Sequence, residues 1–169
     1  MSTRKPRQRI EPGPGQESVW DYPRPPALQR ISERIRIEVG ETHLADSTQA
    51  LRICETSHPP TVYIPPADVA TEFLQASDLQ TFCEWKGMAR YFHIVVPDEA
   101  PVPNAVWHYP EPRPAYRELV DHLAFYPSRV SRCFWGDEEV LSQAGDFYGG
   151  WITSKICGPF KGDPGTMHW

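Results

Sequence analysis

The sequence lacks most of the signatures by which a chemistry announces itself. Its four cysteines, Cys54, Cys83, Cys133 and Cys157, include no Cys-x-x-Cys pair. Zinc in small β domains is commonly gripped by two such pairs, so neither zinc nor any other cofactor is expected. His43, His58, His93, His108, His122 and His168 show no His-x-x-x-His spacing, the pattern that puts two metal ligands on one helix face. There is no Gly-x-x-x-x-Gly-Lys loop to cradle phosphates and no Gly-x-Ser-x-Gly elbow to present a nucleophilic serine. No apolar run approaches the roughly 18 residues that a membrane-spanning helix needs, so no membrane is expected as partner. The first residues hold no apolar signal core, which points to the cytoplasm and to free thiols.

Positive charge is scarce outside one place. The net charge is −5, yet Arg4, Lys5, Arg7 and Arg9 crowd the first ten residues with no acid among them. The remainder is therefore strongly acidic. Nucleic acid is not expected as a partner of such a body, because phosphate contacts need clustered Lys and Arg. The basic arm reads as solvated chain, with contact to nucleic acid or an acidic partner as the alternative. The oligomeric state is left open.

Proline is abundant, at 19 residues, more than twice its usual share of about 5%. Each proline lacks the N–H that helices and sheet ladders use, so long helices are disfavoured. Residues 1–27 read as a disordered basic arm and an extended strap whose Trp20 and Tyr22 pack onto the body. Residues 28–169 read as one domain with no internal repeat.

Within that domain Ile31, Ile35, Ile37 and Val39 alternate with charged residues as a half-buried strand, turning at Gly40-Glu41. Strands are expected over 50–55, 61–64, 81–85, 89–96 and 105–109, and a hairpin over 129–140 turning at Gly136-Asp137. Short helices are expected over Asp68–Leu74 and over Pro114–Leu123, the latter with Tyr116, Leu119, Val120 and Leu123 on one face. The last segment lacks a period. Its Phe147, Tyr148, Trp151, Ile152, Ile156 and Phe160 are too apolar for a free tail, so it should dock.

Several runs are familiar in order. They are Leu44-Ala45-Asp46-Ser47, Thr61-Val62-Tyr63-Ile64-Pro65 and Phe82-Cys83-Glu84-Trp85-Lys86-Gly87. Ala105-Val106-Trp107-His108-Tyr109-Pro110 and Ala124-Phe125-Tyr126-Pro127 follow, then the stretches around Gly149-Gly150 and Gly158-Pro159. Together they resemble the domain-of-unknown-function family four-twenty-seven, over about residues 28–169. The resemblance implies a mainly β fold, a β-tent-like pair of small antiparallel sheets with one or two short helices and long ordered loops. The superfamily includes the thalidomide-binding domain of cereblon, the Yippee proteins and the methionine-R-sulfoxide reductases, many of them zinc proteins with two Cys-x-x-Cys pairs. This chain departs from that pattern. The family carries an old nucleotidyltransferase-like label, and no catalytic residues transfer with it.

Two chemistries have candidate residues. Cys83 and Lys86 lie three apart beside Gly87, and a thiol near an ammonium is the arrangement of a nucleophile. Three apart on one strand they would face opposite sides, so only a turn at Gly87 can join them. The competing reading makes Cys83 a small buried hydrophobe. Nucleotidyl transfer needs carboxylates converging on Mg²⁺, and Asp46, Glu55, Asp68 and Glu84 are scattered.

The aromatics are the better clue. Tyr63, Lys86, Tyr91, Trp107 and Tyr109 form the expected ligand-binding set, flanked by Arg52 and Arg90, with Trp85, Tyr148 and Trp151 nearby. Tyr and Trp join a flat apolar face to a polar tip and suit a pocket for a ring or a cation. The competing reading is that these rings fill a small core. Trp107 and Tyr109 share one strand face, as do Tyr91 and His93, and His93 could approach His108 across paired strands. The leading expectation is a small-molecule-binding β domain. The alternatives are an enzyme of nucleotidyltransferase-like or cysteine-dependent type, and a protein-interaction module using the basic arm or the C-terminal aromatics.

Overall fold

The computed structural model describes residues 9–145 and 147–169. Arg4, Lys5 and Arg7 of the basic arm lie outside the described residues. Among those described, fifteen strands run in chain order: β1 (Glu17–Ser18), β2 (Ala27–Arg30), β3 (Ile35–Val39), β4 (Thr42–Ser47), β5 (Leu51–Cys54), β6 (Thr61–Ile64), β7 (Leu74–Cys83) and β8 (Gly87–Ile94), then β9 (Val102–His108), β10 (Leu123–Phe125), β11 (Arg132–Trp135), β12 (Glu138–Glu139), β13 (Leu141–Ser142), β14 (Trp151–Ile152) and β15 (Ile156–Cys157). The protein is mainly β, as expected.

Two antiparallel sheets dominate. The larger has seven strands in the order β2-β5-β6-β10-β9-β8-β7, and the smaller has four in the order β12-β11-β3-β4. The alternation read at Ile35, Ile37 and Val39 is the inner face of β3, with Arg36 and Glu38 half-exposed between them. Gly40 turns the chain into β4 with φ of +57°, a conformation glycine adopts without strain. The main core lies where the sheets meet: Ile35, Ile37 and Leu44 from the smaller pack with Val62, Ile64, Ile94, Val106 and Phe125 from the larger.

The helical expectations need adjusting. Helical turns do occur at both sites, but they are 3-10 turns over Pro66–Asp68, Thr71–Phe73 and Pro114–Leu119. The last is interrupted at Tyr116, whose φ of −118° is not helical. Tyr116 and Leu119 are buried while Val120 is exposed, which is the three-residue repeat of a 3-10 turn rather than an α-helical stripe. Leu123 is already in strand β10, paired with Ile64. Strand β7 starts at Leu74, earlier than the expected 81, because its first half is polar and mostly exposed and a bulge between Ala76 and Gln80 breaks its alternation.

The C-terminal segment docks. Trp151 is 1% exposed, its backbone N–H donates to the Pro60 carbonyl over 2.8 Å, and its indole donates to the Phe125 carbonyl over 3.3 Å. Strand β15 pairs in parallel with β1, so the two ends of the chain hold each other. Nearby the Trp20 indole donates to the Pro159 carbonyl over 2.8 Å, and the Tyr22 hydroxyl donates to Glu17 over 2.8 Å.

Candidate functional site

The central strands of the seven-stranded sheet are buried on both faces, and the face away from the smaller sheet is lined with rings. The register explains why. Leu51, Tyr63, Ala124, Trp107 and Tyr91 are successive cross-strand partners along β5, β6, β10, β9 and β8. Residues opposite one another in an antiparallel pair present side chains to the same face, so this row is a single shelf. Ala124 is the small member. Its methyl leaves room for Tyr63 and Trp107 to lean together, edge to face at 86° with centroids 6.1 Å apart. Tyr109 follows Trp107 by two residues and lies 6.3 Å from Tyr63, and Tyr126 follows Ala124 by two and packs 4.6 Å from Trp107.

The phenol tips find one another. The Trp107 indole donates to the Tyr63 hydroxyl over 3.3 Å, with the Tyr109 hydroxyl near that of Tyr63 and the Tyr126 hydroxyl near that of Tyr91. The Thr81 hydroxyl sits 2.9 Å from that of Tyr91. Burial pushes Tyr109 and Tyr126 well above the ordinary phenol range, so both keep their protons.

Above this shelf is a cavity of about 250 Å³. Its wall includes Tyr63, Cys83, Lys86, Tyr91, Trp107 and Tyr109, and thus brings together every ligand-binding and catalytic candidate read from the sequence. Arg52 and Arg90 are not in it. Arg52 pairs with Glu17 at 3.2 Å on the other side of the sheet, and Arg90 is solvent-exposed. The scattered carboxylates stay scattered. Asp46 pairs with Arg34, Asp68 accepts from the Ser47 hydroxyl, and Glu84 is exposed; only Glu55 reaches the cavity. His93 and His108 do not meet, because His108 pairs with Arg90 and stacks on Phe92, on the opposite face from Tyr91. His93 instead accepts from the Asn104 N–H through Nδ1. Among the described residues no group of three or more His, Cys, Asp or Glu side chains is placed to hold a metal ion.

The turn after β7 does what the strand alone could not. Cys83 closes β7 opposite Gly87, and the intervening residues fold Lys86 back so that its ammonium comes near the Cys83 thiol. Gly87 takes φ of +111°, which a side chain would resist. Lys86 is only 9% exposed and its Nζ lies 5.8 Å from the Tyr109 ring centre. Burial pulls its pKa down, but the fields of Tyr63, Cys83 and Glu55 outweigh that and hold it above the usual lysine value. It is therefore an ammonium at neutral pH. No carboxylate of the described residues comes within ion-pair distance of it; Glu55 pairs with Arg24 at 3.4 Å instead.

Of the wall residues not singled out for the pocket in the sequence, three stand out. His58 is pushed down to about 3 by burial and by Lys161, Arg24 and Lys86. The Gln143 amide is oriented by accepting from the Gly150 N–H and donating to the Lys161 carbonyl, so its nitrogen faces His58 Nδ1 at 3.3 Å. Nδ1 is then the acceptor, and the Nε2–H of neutral His58 faces Glu55 at 3.6 Å. The third is Tyr126, which the alternation Ala124, Tyr126 could have placed beside Trp107. Gly149 closes this side: a Cβ there would overlap the Trp107 ring, so only glycine lets the segment lie against it. Phe82 and Phe147 stand at the opening, 63% and 67% exposed.

Residues 27–136 match the family described as Domain of unknown function (DUF427). The chain belongs to this family. No curated protein shows significant similarity to it. The DUF427 match contains the whole ring shelf together with Cys83 and Lys86, whereas Gln143, Tyr148, Gly149 and Lys161 lie beyond it. The family segment thus supplies the floor of the cavity, and the C-terminal segment of this chain supplies its cover. Among the described residues no helix is long and apolar enough to cross a membrane.

Proposed function

We propose that this DUF427 protein is a small-molecule-binding β domain whose ligand occupies the cavity over Tyr63, Lys86, Tyr91, Trp107 and Tyr109. The observation that carries the reading is the buried Lys86 ammonium, unpaired by any described carboxylate, at a cavity floored by rings. A buried charge without a counter-charge is costly, and sites that tolerate it tend to be functional. Packing alone would place an apolar side chain there. A thermal-shift panel of nucleosides, nucleotides and small ring compounds tests it. A ligand at about 100 times its dissociation constant adds roughly 2.7 kcal/mol of stability. Trp107→Ala should remove that gain, and a ligand whose shift survives Trp107→Ala would count against this pocket.

A second reading has its own observation. Lys86 and Cys83 set an ammonium near a thiol in the wall of the same cavity, the arrangement a cysteine-dependent enzyme would use. The family's older nucleotidyltransferase name gains no support from the residues present, since its carboxylates do not converge. A test is the turnover of ring-bearing thioesters by the wild type compared with Cys83→Ser. Equal rates would dismiss the reading.

A further inference from the structure

The charges and donors around the cavity say more than that something binds. Lys86 presents a buried ammonium that has no ion pair with a described carboxylate and lies near only a thiol, a weak partner. Lys161 stands on the covering side with its Nζ 5.4 Å from the Tyr148 ring centre. Among the described residues the single wall carboxylate, Glu55, is engaged by Arg24. His58 is neutral at physiological pH. Two wall ammonium groups, Lys161 also donating to the Trp169 carbonyl, thus face one carboxylate that Arg24 already pairs with, a balance that disfavours a cationic ligand, which bare rings would welcome.

The remaining hydrogen-bonding groups point the same way. The Thr61 hydroxyl lines the cavity and is buried with no partner among the described residues. The Tyr63 oxygen accepts from Trp107 and has the Tyr109 hydroxyl beside it. Lys86 and Thr61 are thus two donors at a site poor in free acceptors. Tyr91, Trp107 and Tyr126 supply ring faces and edges beside them. A cavity of about 250 Å³ lies just below the usual range for ligand sites, which limits it to one or two fused rings.

We propose that the pocket takes a planar aromatic carboxylate of one or two rings, its carboxylate on Lys86 and its ring against Tyr91, Trp107 and Tyr126. This rests on the cavity being a binding site at all. The Lys86–carboxylate contact would be a charge-assisted hydrogen bond in a water-poor site, which is where such bonds are strongest.

The test is calorimetric titration of the full chain with benzoate and 2-naphthoate, each set against its amide and its amidinium analogue. The three members share a ring and differ in charge. The acids should bind at least about tenfold more tightly than the amides, and the amidinium compounds more weakly still. Lys86→Met should erase the preference of acid over amide while ring binding persists, and Lys86→Arg should keep it. Should Lys86→Met fail to fold, the wild-type ratio alone decides. Equal binding of acid and amide, or tighter binding of an amidinium compound, overturns the anion assignment and leaves the pocket standing. Absence of binding by every ring compound overturns both.

Discussion

The Trp107 indole reaches the Tyr63 hydroxyl across strand β10, over the methyl of Ala124. The contact depends on the residue between being small. Ala124→Leu should push the two rings apart and fill the shelf. Overpacking of this kind costs about 1–3 kcal/mol. Urea unfolding should show the loss, and ligand binding should fall with it.

Gly149 faces the same indole from the cover. Gly149→Ala forces a methyl onto the Trp107 ring, so the segment must lift or the ring must turn. The expected result is a changed tryptophan emission together with weaker binding, at a stability cost of about 1–3 kcal/mol. Unchanged emission would mean that the cover yields freely.

The docked segment belongs to the core although the DUF427 match ends before it. Trp151→Ala removes a fully buried side chain and its bond to Phe125. A loss of about 3–5 kcal/mol is expected, measured by denaturant midpoint. Loss below about 1 kcal/mol would show that the segment is an appendage.

His58 makes stability depend on pH in a window that opens above the range where carboxylates titrate. Its folded pKa is near 3 against 6.5 for the free side chain, so the unfolded chain binds the extra proton between those values. Stability should be full above about 6.5 and fall as pH drops towards 3. The loss between pH 6.5 and 5 is at most about 2 kcal/mol. His108, lowered by burial, adds in the same sense. Glu17, lowered through its bond with Arg52, and Asp46, lowered through its bond with Arg34, contribute only below about pH 4.5. His58→Gln should flatten most of the slope in melting temperature across that window.

The four thiols should separate by reactivity. Cys54, Cys133 and Cys157 are buried, and desolvation raises Cys54 to about 11 and pushes Cys133 higher. Cys83 is the half-buried one, at the cavity. Alkylation with iodoacetamide at pH 8, followed by peptide mass mapping, should find Cys83 modified first. A pocket ligand should protect it.

Much of this was legible in the chain. Strand β6 was read at Thr61–Ile64, its span in the structure, because Pro59-Pro60 and Pro65-Pro66 bracket a β-branched run. The Gly136-Asp137 hairpin and the inner face of β3 followed from turn chemistry and period-2 alternation. Strand β7 was half hidden because its first half buries little and so carries no apolar rhythm. The helix expected from Pro114 onward shrank to a 3-10 turn because its apolar residues answer to two different partners, Tyr116 to the Pro26 carbonyl and Leu123 to strand β6.

The sequence by itself determined the fold class and which rings and charges were available, since alternation, proline punctuation and residue chemistry are local properties. Only the tertiary structure decided that Leu51, Tyr63, Ala124, Trp107 and Tyr91 form one row, because register is a relation between strands far apart in the chain. It also decided that Lys86 is buried without a carboxylate and that His58 is neutral. Those states depend on which groups surround a side chain, and that is settled when the sheet closes and the C-terminal segment covers it.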